Sequence, residues 1–153
     1  MQKSKILIFL KMAKVLSELS TCSRRKVGAI MVDDSWRIVG SGYNGNARRL
    51  THCIDEPCKG AIYESGSKLE LCEAIHAEQN ALMQCIDVDK IHAIFLTTSP
   101  CLHCLKMLMN TSCKYIFFSE YYPDDWQSET LWTLNSSRKW IHIDSLHLST
   151  LMI

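Results

Sequence analysis

Two short runs stand out for the chemistry their residue types could perform: His76-Ala77-Glu78 and Pro100-Cys101-Leu102-His103-Cys104. One imidazole and two thiolates make three zinc-type ligands. Three protein ligands leave the fourth tetrahedral position open to water, whereas a closed set of four is structural. Zinc lowers the pKa of such a water towards about 7, which makes hydroxide available at neutral pH. A carboxylate two residues from the imidazole then has a task, which is to carry protons from water to a substrate and on to a leaving group. His76, Cys101 and Cys104 are therefore the candidate ligands, and Glu78 is the candidate general acid–base. The alternative is a closed structural zinc with His103 as fourth ligand. That arrangement has no use for Glu78, and His103 falls on a different helical face from the two cysteines, where it is expected to meet solvent.

These residues need elements to hold them. Ile6, Leu7, Leu10, Ala13, Leu16 and Leu19 recur at helical spacing and predict an amphipathic first helix. Val27–Val32 reads as a strand ending in the turn cluster Asp33-Asp34-Ser35, with Arg37–Tyr43 as its hairpin partner and Asn44-Gly45 as a break. Residues 44–72 show no period and hold three cysteines, which are the expected ties for so long an irregular stretch. Beyond it the pattern predicts a helix at Ile75–Ile86, a strand at Ile91–Thr98 and a helix to Met109 opened by Ser99 as cap and Pro100. A strand at Tyr115–Ser119, a helix near Asp124–Leu134 and a strand at Trp140–Ile143 follow. Alternating helices and strands imply parallel pairing, to which the N-terminal hairpin adds two strands. His76 and Glu78 cannot converge in mid-helix, so the metal is expected off a helix N-terminus, where the positive end also favours thiolates.

The chain has 153 residues, 47% of them apolar, and a formal net charge of +1. A single domain over residues 1–153 is expected. The near-neutral charge argues against a dedicated nucleic-acid binder. The apolar run from Ile6 to Leu10 is interrupted by Lys11 and Lys14, and no stretch approaches a membrane span, so a soluble cytoplasmic protein without a membrane partner is expected. Eight cysteines in such a chain point to metal rather than disulfides.

Together, His-x-Glu followed by Pro-Cys-x-x-Cys is the pattern of zinc deaminases. Over residues 20–122 the chain resembles the deoxycytidylate (dCMP) deaminase family more narrowly. The resemblance rests on Cys22 with Val27-Gly28-Ala29, on Gly42-Tyr43-Asn44-Gly45, on His52-Cys53-Ile54-Asp55, on Ile75-His76-Ala77-Glu78-Gln79-Asn80-Ala81 and on Ser99-Pro100-Cys101. It implies an α/β fold, a three-layer α/β/α sandwich of cytidine-deaminase type with a five-stranded mixed sheet. It implies hydrolysis of dCMP to dUMP and ammonia for thymidylate synthesis. It also implies a homo-oligomer, often a hexamer, activated by dCTP and inhibited by dTTP, with Mg²⁺ accompanying a triphosphate effector. Asn44 would bond the nucleoside, the Ala77 backbone would face the pyrimidine edge, Ser99 would belong to the substrate site and Tyr122 would line the base pocket. A phosphate needs cations, and Arg24 and Lys26 of Ser23-Arg24-Arg25-Lys26 are the candidates, set against a merely solvated charge run.

Where the family often has proline after Gly-Tyr-Asn-Gly, this chain has Asn46-Ala47-Arg48-Arg49, and Arg48 and Arg49 are candidates for a regulator's phosphates. Cys22, Cys53, Cys58 and Cys72 are candidates for a second, structural zinc, with His52 able to replace one thiol; the alternative is small buried thiols. Cys85 and Cys113 read as core thiols, His92, His142 and His147 as strand-end or surface groups, and Trp126, Trp132 and Trp140 as packing residues. The apolar tail from Leu146 to Ile153 reads as a contact for a partner subunit. Competing substrates for the same chemistry are dCTP, cytidine and a tRNA adenosine. A zinc-stabilised binding module is the reading that excludes catalysis.

Overall fold

The computed structural model describes residues 3–123 and 126–144. Its strands are β1 (Gly28–Val32), β2 (Ile38–Tyr43), β3 (Gly45–Asn46), β4 (Ala74–Ile75), β5 (Ala93–Thr98), β6 (Tyr115–Glu120) and β7 (Lys139–His142). Its helices are α1 (Lys3–Ser17), α2 (Ala77–Gln84), α3 (Leu102–Met109) and α4 (Trp126–Thr133). Five strands form one mixed sheet in the order β2-β1-β5-β6-β7. The β1–β2 hairpin is antiparallel, β1 meets β5 antiparallel, and β5, β6 and β7 run parallel, as the helix–strand alternation implies.

Side-chain alternation explains the layers. Ala29, Met31, Ile94, Leu96, Ile116 and Phe118 point to one face and pack with Ala77, Ala81, Leu105, Leu108 and Trp132 of α2, α3 and α4. Ile30, Val32, Ala93, Phe95 and Phe117 point to the other and meet Leu10 and Ala13 of α1. Every residue of β1 and β5 is buried, which is why both segments read as near-continuous apolar runs. The result is the three-layer sandwich expected.

Two features place the chemistry. Helix α2 approaches β2 backbone to backbone at Gly40 and Gly42. A Cβ at Gly42 would land on the Ala77 carbonyl oxygen and come within 2.5 Å of the Ala81 nitrogen, and one at Gly40 would come within 2.6 Å of the Ala81 carbonyl oxygen. Gly42→Ala therefore has to push α2 off the sheet, and backbone atoms cannot rotate aside. A loss of about 3 kcal/mol, at the upper end for overpacking, is expected, with a melting temperature lowered on the order of 10 °C. A melt coinciding with the parent's would remove this account of α2's position.

The second feature is a correction. Gly45 does not end the chain's extended path, and Ile75 does not open a helix. Instead β3 and β4 pair with each other, Gly45 opposite Ile75 and Asn46 opposite Ala74. This clip closes the long irregular segment, so cysteines are not its principal ties. Further hydrogen bonds hold the segment, from Cys53 N to Asn46 Oδ1 (3.0 Å) and from Ile54 N to the Thr21 carbonyl (3.1 Å). Leu19 lies beyond α1 and is exposed, because α1 stops at Ser17. Trp132 is buried and Trp140 partly so, whereas Trp126 is 72% exposed and does not pack as expected. Cys113 is buried, and burial pushes its thiol up to about 12; Cys85 is half-buried at the end of α2. His147 and the tail from Leu146 lie outside the described residues.

Candidate active site

The N-termini of α2 and α3 meet at the C-terminal end of β5, where sites gather in α/β sheets. His76 is the N-cap of α2 and Cys101 the N-cap of α3, both with extended backbone. Each side chain thus leaves from just outside a helix and swings over its end. Gln79 fixes the first of these caps, its Oε1 accepting from His76 N at 2.8 Å. Ser99 is not the cap of α3. Its hydroxyl accepts instead from Tyr122 N at 2.8 Å, and its own amide donates to the Glu120 carbonyl.

His76 Nδ1 lies 3.5 Å from Cys101 Sγ and 3.4 Å from Cys104 Sγ. Zinc bonds of about 2.3 Å to sulfur and 2.0–2.1 Å to nitrogen, at a tetrahedral angle, place nitrogen and sulfur roughly 3.6 Å apart. The donor set fits a zinc ion without rearrangement. Among the described residues it is the one group of three His, Cys, Asp or Glu ligand atoms within 4.8 Å of one another. His103 is exposed and is not in the group. Cys22, Cys53, Cys58 and Cys72 do not assemble into a second group: Cys53 and Cys58 lie with sulfurs 3.7 Å apart, while Cys22 and Cys72 line the cleft beside the first group.

Without metal the three ligands share protons unequally. A hydrogen bond from Cys104 holds the Cys101 thiol down at about 3, and its bond to His76 adds to this. That same bond to Cys101, with burial, pushes Cys104 up, so it keeps its proton. Bonding to Cys101 raises His76. Glu78, in the first turn of α2, is 4% exposed, and burial lifts its carboxyl to about 7.

The cleft around this group is lined by Arg24, Arg25, Asn44, Ser65, Gly66, Leu69, Ala77, Ser99 and Tyr122, besides the metal-type ligands and Glu78. Asn44 is 7% exposed and nearly spent: its Oδ1 accepts from Ser20 Oγ (2.7 Å) and Val27 N (2.8 Å), and its Nδ2 donates to the Arg25 carbonyl (2.8 Å). One amide hydrogen remains, so Asn44 can offer a ligand a donor and nothing else. Tyr122 is pushed up to about 12 by burial and by the charge on Cys101, against the pull of Arg24 and Arg25.

The basic run divides in a way the sequence does not show. Lys26 lies outside the cleft and pairs with Glu18 at 3.1 Å. Arg24 lines the cleft with Nη1 bonded to two loop carbonyls. Arg25 also lines it, and its Nη1 is buried with no hydrogen-bond partner. A buried guanidinium nitrogen left unpaired is costly unless something else satisfies it, which makes Arg25 the site residue that sequence reasoning passed over.

Residues 3–120 match the family model of the cytidine and deoxycytidylate deaminase zinc-binding region. The chain belongs to that family. Among its relatives, the deoxycytidylate deaminase of Mycobacterium phage D29 is 35% identical over 118 residues, covering 72% of this chain and 90% of that protein. The deoxycytidylate deaminase of Saccharomyces cerevisiae is 31% identical over 122 residues, covering 78% of this chain but 39% of that protein. The chain thus matches about two fifths of the length of its yeast relatives. Of solved structures, the dCMP deaminase of cyanophage S-TIM5 in complex with dCMP and dUMP superposes with a TM-score of 0.71 at 26% identity, covering 94% of this chain and 99% of that one. No helix among the described residues is long and apolar enough to cross a membrane.

Proposed function

We propose that the protein hydrolyses dCMP to dUMP and ammonia. The observation that carries this reading is a single cleft holding a zinc-type ligand set, a buried carboxyl and one buried, unpaired guanidinium nitrogen, Arg25 Nη1. The first two suit amine hydrolysis, and the third suits a phosphate. The relatives named deoxycytidylate deaminase and the neighbour bound to dCMP and dUMP support the same substrate.

His76, Cys101 and Cys104 would hold the zinc, whose contribution when bound is Lewis-acid activation of water at neutral pH. The chain's own residues do the rest. Water adds to C4 of the cytosine ring and the exocyclic amine leaves. Glu78, shielded from bulk solvent, takes a proton from the water, delivers it to ring N3 and passes the second to the departing amine. The Ala77 backbone borders the pyrimidine edge, and the spare Asn44 N–H donates to a sugar oxygen. Tyr122 flanks the base, and Ser99 fixes its position through the 2.8 Å bond from the Tyr122 amide. Arg25 Nη1 finds in the 5′-phosphate the acceptor it lacks. Residues 1–153 act as one deaminase domain in this reading. A cytoplasmic role in dUMP supply, hexamer assembly and opposed control by dCTP and dTTP rest on the family resemblance.

Ammonia release from dCMP, dCTP, cytidine and CMP, each with and without dCTP or dTTP, tests the reading. Turnover strongest on dCMP supports it, and a zinc-loaded protein inactive on all four refutes it. Arg25→Ala should raise KM for dCMP by about 10- to 100-fold, the worth of a charged hydrogen bond, with little change for deoxycytidine. Equal losses on both would remove Arg25 from the phosphate.

A further inference from the structure

The cleft is narrower than its proposed ligand. It measures about 530 Å³ with its open mouth included, but water-sized spheres can be centred in about 50 Å³ of it, room for roughly three to five waters at about 10–15 Å³ each. Clefts for small organic ligands run to about 300–1,000 Å³, so one wall has to move before a nucleotide enters. Asn44, His76, Ala77, Thr98 and Cys101 belong to strand ends and helix termini anchored in the core. Ser65, Gly66 and Leu69 do not. They lie on a stretch bracketed by two 3-10 turns, Lys59–Ile62 and Leu69–Leu71.

This stretch is bonded mainly to itself. Ser67 donates from both its amide and its hydroxyl to the Glu64 carbonyl, and Leu71 N donates to the Lys68 carbonyl. Gly66 adopts φ +89°, which an L side chain rarely takes, and a Cβ there would sit 3.4–3.5 Å from Pro123 and Tyr122. Among the described residues, two hydrogen bonds tie residues 63–70 to the body of the fold, and both come from one atom. Arg24 Nη1 donates to the Glu64 carbonyl at 3.1 Å and to the Ser67 carbonyl at 3.0 Å.

We infer that residues 63–70 form a flap over the cleft and that Arg24 is the positioning residue that latches it shut. The inference rests on the nucleotide reading only for the identity of what the flap admits. Arg24 and Arg25 then divide the work of adjacent positions: Arg25 meets the ligand's anion, and Arg24 fixes the wall that closes behind it.

Hydrogen exchange read by mass spectrometry on the zinc-loaded full chain, with no ligand added, decides the matter. In Arg24→Ala the amide of Ser67 should exchange at least about tenfold faster, with β5 unchanged. Arg24→Lys keeps the charge, but its side chain ends one bond short of the two carbonyls, so the same loosening is expected. If Arg24→Ala loosens β5 too, the lysine variant alone is read. Arg25→Ala should leave the flap as protected as in the parent. Unchanged flap exchange in both Arg24 variants, or equal loosening by Arg25→Ala, overturns the latch. With dCMP as substrate, Arg24→Lys should raise KM while kcat stays within about twofold, since the flap carries none of the proton-transfer groups. A fall in kcat with KM unchanged would also overturn it. Should dCMP prove not to be a substrate, flap exchange still reads the latch, so the two failures remain separable.

Discussion

Glu78→Gln is expected to lower kcat by about 10³-fold or more while the protein keeps its zinc and its fold. Positioned acid–base groups contribute roughly 10²–10⁴, and in the proposed reaction one carboxyl serves both the incoming water and the departing amine. Glutamine has the same shape, so the buried site stays filled. It carries no titratable proton, so neither transfer can occur. Burial already disfavours the charged carboxyl, as the rise to about 7 shows, so the neutral amide should cost on the order of 1 kcal/mol of stability or less. Zinc analysis, thermal unfolding and turnover on the same preparation check the three parts. A variant that loses zinc along with activity would make Glu78 part of the metal's support, and a variant that keeps full activity would end the acid–base assignment.

Cys104→Ala should abolish zinc retention and with it turnover. Two protein ligands remain, and structural and catalytic zinc sites alike use at least three. The intact site should also bind zinc more tightly as pH rises. Hydrogen bonding favours the thiolate of Cys101, whereas burial and the bond to Cys101 favour the protonated form of Cys104, and His76 is raised towards its charged form. Zinc takes deprotonated ligands, so binding expels a proton from Cys104 and, below the raised His76 pKa, a second from the imidazole. The sign follows: protons compete with zinc at low pH, and the competition drops from two protons to one as pH passes through the His76 value. Apparent affinity should climb by up to about a hundredfold per pH unit where both protons leave, and about tenfold above it. Competition against a chromophoric chelator between about pH 6 and pH 8 measures this, and a flat profile would contradict the proton sharing described.

The metal triad and its acid–base partner were legible because they fall in two short runs, His76-Ala77-Glu78 and Cys101-Leu102-His103-Cys104, and the loop-to-helix position of each run already implied convergence off two helix ends. The parallel half of the sheet was legible because β5 and β6 are apolar on both faces and sit between helical periods. The β3–β4 clip was not, since two residues are too few to show a period of two. Ser99 read as a helix cap because Pro100 follows it, yet the chain stays extended through Cys101 and frees the serine for Tyr122. Arg24, Arg25 and Lys26 are indistinguishable cations in sequence. Only the fold assigns one to two loop carbonyls, one to an unpaired place in the cleft and one to Glu18 beyond the end of α1. The four loop cysteines misled in the opposite way, since shared chemistry suggested a cluster that the backbone does not gather.

The short pairing of Gly45–Asn46 with Ala74–Ile75 has a consequence for how such a scaffold can change. It fastens the irregular segment at its root, immediately before His76, so whatever happens farther out does not pull on the metal ligands. Lengthening a fastened loop is cheap: each doubling adds only about 0.6 kcal/mol of closure entropy. The excursion between the two strands is therefore a cassette. Its sequence and length can be rewritten to admit a bulkier or differently charged ligand, while the zinc-type ligand group on the other side of the clip is inherited unaltered.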